Sequence, residues 1–238
     1  MSQIGKLCSP GKLLQNGAQK QQAREFTRRL GDRLAAEGYV GFFEVDYLVD
    51  TGTGELYLGE LNPRISGISS MTNVTAGAYA DMPLFLFHLL EFSGQDFELD
   101  VEALNARWAD PDYIDSWSQI VIKYTEDNVD IVTQAPPTGI WRQGPDGAVS
   151  YQRFDYHRAA VESEREAYFL RITGAGDYRY EGADLGILIT RGRSMTDDFD
   201  LTARANNWIK GLKSYYYGKP LEALQQPVAP AEGAFKIL

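Results

Sequence analysis

The chain has 238 residues, 44% of them hydrophobic and 12% aromatic, enough apolar material for one large or two medium domains with a real core. Its formal net charge of −10 excludes a nucleic-acid backbone as the main partner, because there is no basic excess to displace counterions. A single cysteine, Cys8, rules out an internal disulfide and fits a reducing, cytoplasmic compartment; the longest apolar stretch, Met82–Leu90, is broken by His88 and falls far short of the ~20 residues of a bilayer span.

The opening residues MSQIGKLCSPGKLLQNG carry neither the continuous apolar core nor the small-residue cleavage pattern of a secretory signal. From Lys20 to Glu37 the apolar positions Ala23, Phe26, Leu30 and Leu34 recur at three- and four-residue spacing, which predicts an amphipathic helix, with Gly38 as its terminator. GYVGFFEVDYLVD, rich in aromatic and β-branched residues, then TGTGE, then LYLGELN predict a β-hairpin. A Gly/Ser-rich stretch, Ile65–Ser70, leads into a second predicted helix, Met71–Phe92, whose apolar residues include Ala78, Met82, Phe85, Leu86 and Leu89.

Residues 93–118 are acidic and irregular and suit a connector containing a short helix. Beyond them the texture turns to strands: SQIVIKY, VDIVTQ, TGIWRQ, AVSYQRFDY, AYFLRITG and LGILITRG, parted by the turn signals EDN, PP, GPDG and GAGD. A last helix is predicted over Leu201–Tyr215, and the Pro/Ala-rich tail is expected to be loosely held. The expected layout is therefore α+β: residues 1–95 as an antiparallel sheet with packed helices, 96–118 as connector, 119–218 as a mainly β unit with a closing helix, and 219–238 as tail.

Charge is uneven. Residues 1–95 hold 8 Lys+Arg against 10 Asp+Glu, and residues 96–238 hold 15 against 23. An anionic substrate would depend on a bound divalent cation and a few placed cationic side chains rather than on a general positive field.

Side chains alternate faces along a strand, so Glu44, Asp46 and Leu48 project one way, and on the return strand Leu56, Leu58, Glu60 and Asn62 share a face. A five-residue loop, Thr51–Glu55, sets Asp46 directly opposite Glu60; a three-residue loop keeps the same faces, and an even-numbered loop splits them. Opposed like charges destabilise a sheet by a fraction of a kcal/mol. A hard divalent cation with oxygen ligands removes that cost, with Asp46 and Glu60 as ligands, Asn62 offering its carbonyl oxygen and Arg64 reaching a phosphate in forked geometry. The competing reading is a set of solvated side chains on the outer face of a sheet.

The stretch GYVGFFEVDYLVDTGTGELYLGELNPRISGISSMTN resembles the ATP-grasp superfamily, in particular its biotin-carboxylase-like and carbamoyl-phosphate-synthetase-like members. PPTGIWRQGPDG, GADLGILITRGRS and ARANNWIKGL resemble, more weakly, the domain that follows the ATP-grasp region in biotin carboxylase. The resemblance implies ATP and Mg²⁺, with Mn²⁺ able to replace it. Asp46, Glu60 and Asn62 would be metal ligands, Glu44 a second-sphere or substitute ligand, and Arg64 the phosphate-contacting catalytic residue. It also implies a homodimer or a complementary N-terminal half, and it makes Arg165 and Arg171 candidates for substrate contact; Arg191 and Arg193, flanking a glycine, are candidates for holding an anion.

Two departures shape the expectation. After Arg64 the chain reads ISGISSMTN, with no acid before Asp81, so the base that would deprotonate bicarbonate is missing from its expected place. The Ser66, Ser69 and Ser70 hydroxyls and the loop's backbone N–H groups suit an acyl-phosphate instead, which implies a ligase joining a small-molecule carboxylate to an amine or other nucleophile. Only about 40 residues precede the hairpin, without a Gly-rich flap, so the chain reads as the C-terminal part of a longer enzyme. The alternatives are a biotin-carboxylase-type enzyme and a non-catalytic dimerisation module. His88 and His157 read as structural or surface residues, and no His/Cys cluster suggests zinc.

Overall fold

The computed structural model describes residues 17–50, 52–67, 84–108, 117–155 and 160–221. Over these the chain is α+β, with antiparallel sheets and four helices. Helix α1, Gly17–Ala36, ends where its sequence says it must. Gly38 adopts φ +86°, its N–H bonds Ala35 O at 2.9 Å, and Tyr39 N bonds Leu34 O at 2.9 Å. That pair of bonds satisfies two carbonyls of the last turn, and the left-handed position is one only glycine takes without cost.

Strands β1, Glu44–Val49, and β2, Leu56–Asn62, form a separate antiparallel hairpin. Two short helices follow, α2 over Leu84–Phe92 and α3 over Val101–Trp108. The first 13 residues of the predicted helix Met71–Phe92, with Ala78 and Met82, lie outside the described residues. On α2, His88 stacks on Phe42 at 5.1 Å and meets Phe92 at 4.6 Å, which agrees with a packing role.

The β-rich part contains β3 (Trp117–Lys123), β4 (Asp130–Gln134), β5 (Gly139–Gln143), β6 (Val149–Arg153), β7 (Glu166–Arg171), β8 (Tyr178–Arg179), β9 (Asp184–Arg191), α4 (Ala203–Lys213) and β10 (Tyr217–Pro220). Five strands pair in the order β3-β9-β7-β5-β6 and three in the order β10-β4-β8, all antiparallel. The alternation of side chains sends Trp141, Phe169 and Leu188 to one face of the larger sheet, where they join Trp208 and Leu212 of α4. Ile140, Tyr168 and Ile189 go to the other face, with Trp117 and Val161.

Helix α4 buries Ala205, Trp208 and Leu212, a single stripe at three- and four-residue spacing, and Thr202 caps it by accepting from Ala205 N at 3.2 Å. It lies so close to β6 that a Cβ on Gly211 would sit 2.4 Å from Val149 Cγ2. Behind it, Arg179 pairs with Asp130 at 2.6 Å and stacks over Tyr124 at 4.5 Å, tying β4, β8 and the end of β3 together. Both ionic side chains are nearly buried, at 12% and 6% exposure.

Strands β8 and β10 were not predicted. The first is two residues long; the second lies in an aromatic run, YYYGKP, that ends in proline, and proline is tolerated there because β10 is an edge strand. Of the tail expected over 219–238, Lys219 and Pro220 instead pair with Ile131 and Asp130, and residues 222–238 lie outside the described residues. Among the described residues no helix is long and apolar enough to cross a membrane.

Candidate functional site

The hairpin is fastened to α1 by one face. The Tyr47 hydroxyl lies 2.8 Å from Thr27 Oγ1 and donates to Ala23 O at 3.1 Å, the Tyr47 ring stacks on Phe26 at 6.5 Å, and the Phe43 ring lies against Gly31. Gln19 Nε2 adds a bond to Gly54 O at the hairpin tip, 2.8 Å. With Phe43, Val45 and Tyr47 turned toward the helix, Glu44, Asp46 and Leu48 are left on the open face.

Asp46 pairs with Glu60 and Glu44 with Asn62 across the strands. The route to that register differs from the expectation. Val49 pairs with Leu56 and the Asp50 N–H bonds Glu55 O at 2.9 Å, so the loop is even-numbered, closed by Gly54 N on Asp50 O at 2.8 Å. Left alone, this would put Glu60 and Asp46 on opposite faces. The ladder shifts between Asp46 and Tyr47, however, leaving Gly59 as an unpaired extra residue, and that β-bulge restores the pairing. The bulge also splits the face predicted for β2: Leu58 pairs with Tyr47 on the helix side, while Glu60 and Asn62 share the open face with Asp46 and Glu44. Glycine suits the spot because a Cβ there would sit 3.0 Å from Asp46 O and 3.1 Å from Leu48 Cγ.

Asp50, which the sequence leaves unassigned, is the turn former. Its Oδ1 accepts from Gly52 N at 2.8 Å and Thr53 N at 2.7 Å, and those bonds hold its carboxyl below the usual range.

Asp46 is half-buried, and its pKa is raised above the ordinary value by that burial, then by the charge of Glu60 and by a hydrogen bond to Glu60. The two carboxylate-bearing residues thus face each other across the strands on the open side. Glu44 stands two pairs further along and accepts from the Ser66 hydroxyl. Asn62 Oδ1 accepts from Arg64 Nη2 at 3.2 Å, and Arg64 Nη1 donates to Ile65 O at 3.2 Å. Arg64 is exposed and is held on the same strand end as the carboxylates.

The sequence-derived set is therefore brought onto one patch in two subsets: Asp46 with Glu60, and Glu44 with Asn62, Arg64 and Ser66. Among the described residues no three of His, Cys, Asp and Glu group tightly enough to hold a metal by themselves. A pair of carboxylates plus an amide oxygen still fits Mg²⁺, which takes one or two protein carboxylates and fills its sphere with phosphate oxygens and water. Ser69 and Ser70 lie outside the described residues, as does His157.

Of the arginines singled out beyond the hairpin, two are committed elsewhere. Arg191 donates to Val161 O at 3.0 Å and stacks over Trp117 at 4.6 Å; Arg193 pairs with Asp197 at 3.0 Å. Arg165 borders a cavity beside Arg204 and Asn207, residues the sequence did not mark. Gln119 Nε2 of β3 donates to Gly67 O, just after the hairpin, at 3.0 Å. No protein-family model matches the chain, and no curated protein matches it.

Proposed function

We propose that this chain is the C-terminal portion of an ATP-grasp ligase, with the open face of the hairpin forming one wall of its Mg-ATP site. The observation that carries the reading is the pairing of Asp46 with Glu60, obtained through a bulge and kept at the cost of a raised Asp46 pKa. A surface sheet gains nothing from two opposed carboxylates unless a cation completes them.

Asp46, Glu60 and Asn62 would hold Mg²⁺, with Glu44 beside them, and Ser66 would help hold the nucleotide or the acyl-phosphate. The metal supplies charge neutralisation for the phosphoryl group in flight. Arg64 acts as a cation that exchanges its bond to Asn62 for a phosphoryl oxygen, matching the guanidinium fork to the anion. In the reaction proposed, a substrate carboxylate oxygen attacks the γ-phosphorus of ATP, the bond to the β-phosphate oxygen breaks and ADP leaves. An amine or other nucleophile then attacks the acyl carbon, and inorganic phosphate leaves with the bonding pair.

The test uses Mn²⁺ as a paramagnetic stand-in. Electron paramagnetic resonance of free Mn²⁺, titrated with the full chain and a non-hydrolysable ATP analogue and read against a protein-free sample with the same analogue, is expected to show extra loss of amplitude for the wild type and none for Asp46→Asn. Equal Mn²⁺ uptake by both proteins sinks the assignment.

A further inference from the structure

The cavity that Arg165 borders, of about 420 Å³, lies where the end of β5, the β5–β6 turn, the segment before β7 and the first turns of α4 meet. Its chemistry is set by Arg165, Arg204, Glu164, Gln143, Asn207 and Gly147. Arg204 is held rigidly: Nη1 donates to Glu164 O at 2.9 Å and Thr190 Oγ1 at 3.2 Å, and Nη2 donates to Arg193 O at 3.1 Å. All three acceptors are neutral oxygens, so the geometry is fixed without an ion pair.

Arg165 is exposed, and among the described residues its guanidinium has no ion-pair or hydrogen-bond partner. Its backbone is nonetheless fixed, since Arg165 O accepts from Gln143 N at 2.8 Å. Asn207 presents an amide with no side-chain hydrogen bond to the described protein, its Nδ2 close against Gly147. In a chain of net charge −10, two arginines line one cavity and neither makes an ion pair among the described residues.

We propose that this cavity is a binding site for a small carboxylate, or for the carboxylate end of a larger molecule. Two observations select the class. Two guanidinium groups against the single carboxylate of Glu164 leave one positive charge, which a monoanion balances and a dianionic phosphate overshoots. The planar guanidinium fork also matches the two oxygens of a carboxylate, with the Asn207 amide as a further donor. The cavity lies within the size range of small-molecule sites, and the proposal stands independently of the hairpin reading.

The experiment is a titration of the full, ¹⁵N-labelled chain with sodium propionate, propionamide and sodium phosphate, at constant ionic strength. Saturable shifts of the Gly144, Gly147 and Arg165 amides with propionate, absent with propionamide, are expected. Arg165→Gln, which removes a side chain with no structural partner, is expected to weaken propionate binding at least tenfold while the rest of the spectrum stays unchanged. Non-saturating shifts, an equal response to propionamide, or unaltered binding in Arg165→Gln would each overturn the site. Tighter binding of phosphate than of propionate would overturn the carboxylate assignment.

Discussion

Replacing Asp46 with asparagine keeps the size and shape of the side chain and removes one of the two opposed charges. In the wild type, the folded pKa of Asp46 lies above its ordinary value of 3.8. The native state therefore holds that proton more tightly than the unfolded chain does. The stability from this group is fully present below pH 3.8 and is lost as pH rises through the raised folded value; above both, the penalty is constant. A directly opposed like-charge pair in an antiparallel sheet costs about 0.2–1 kcal/mol. At pH 7 without divalent ions, Asp46→Asn is thus expected to be more stable than wild type by about 0.2–1 kcal/mol, a gain that disappears near pH 3.8. Urea denaturation followed at several pH values reads this as a change in midpoint at constant slope. On the proposed Mg-ATP reading, adding Mg²⁺ and ATP is expected to reverse the ranking, because binding to the wild type alone would stabilise it. If Asp46→Asn is no more stable than wild type at pH 7, or its advantage persists unchanged at low pH, the carboxyl pair does not carry the strain assigned to it.

Other perturbations probe the frame that presents the site. Trp208 is fully buried against the large sheet, and Trp208→Ala is expected to cost about 3–5 kcal/mol in guanidinium unfolding; a loss under 1 kcal/mol would place the core elsewhere. Asp130→Ala leaves Arg179 nearly buried without its counter-charge, with an expected loss of about 3–5 kcal/mol by the same assay. Deleting Gly59 removes only the unpaired residue of the bulge. The shortened hairpin is expected to keep Asp46 opposite Glu60 and to retain Mn²⁺ uptake, whereas loss of uptake would mean that the bulge itself shapes the site.

Much of the β-rich fold was legible because its strands obey simple patterns. Ile120, Trp141, Phe169 and Leu188 sit in runs of aromatic and β-branched residues broken by turn signals, and the α4 stripe of Ala205, Trp208 and Leu212 has plain helical spacing. Strand β8, at two residues, is too short for any period to register, and β10 was hidden by a proline that tertiary pairing at a sheet edge accommodates. In the hairpin, the expected partnership of Asp46 and Glu60 was reached by two compensating differences, an even loop and a bulge at Gly59. A strand glycine is the one sequence sign of such a bulge, and the pattern of LYLGELN otherwise predicts an uninterrupted strand. The Arg165 cavity could not be read in advance, since Gln143, Arg165, Arg204 and Asn207 are separated in sequence and meet only through the sheet order and the seating of α4.

The proposed Mg-ATP wall is tested most directly by isothermal titration calorimetry of ATP into the full chain, with and without Mg²⁺, alongside Glu60→Gln. Saturable binding that requires Mg²⁺ and weakens at least tenfold in Glu60→Gln, about 1.4 kcal/mol, is the predicted result. Binding of equal strength in both proteins, or binding indifferent to Mg²⁺, would contradict the account.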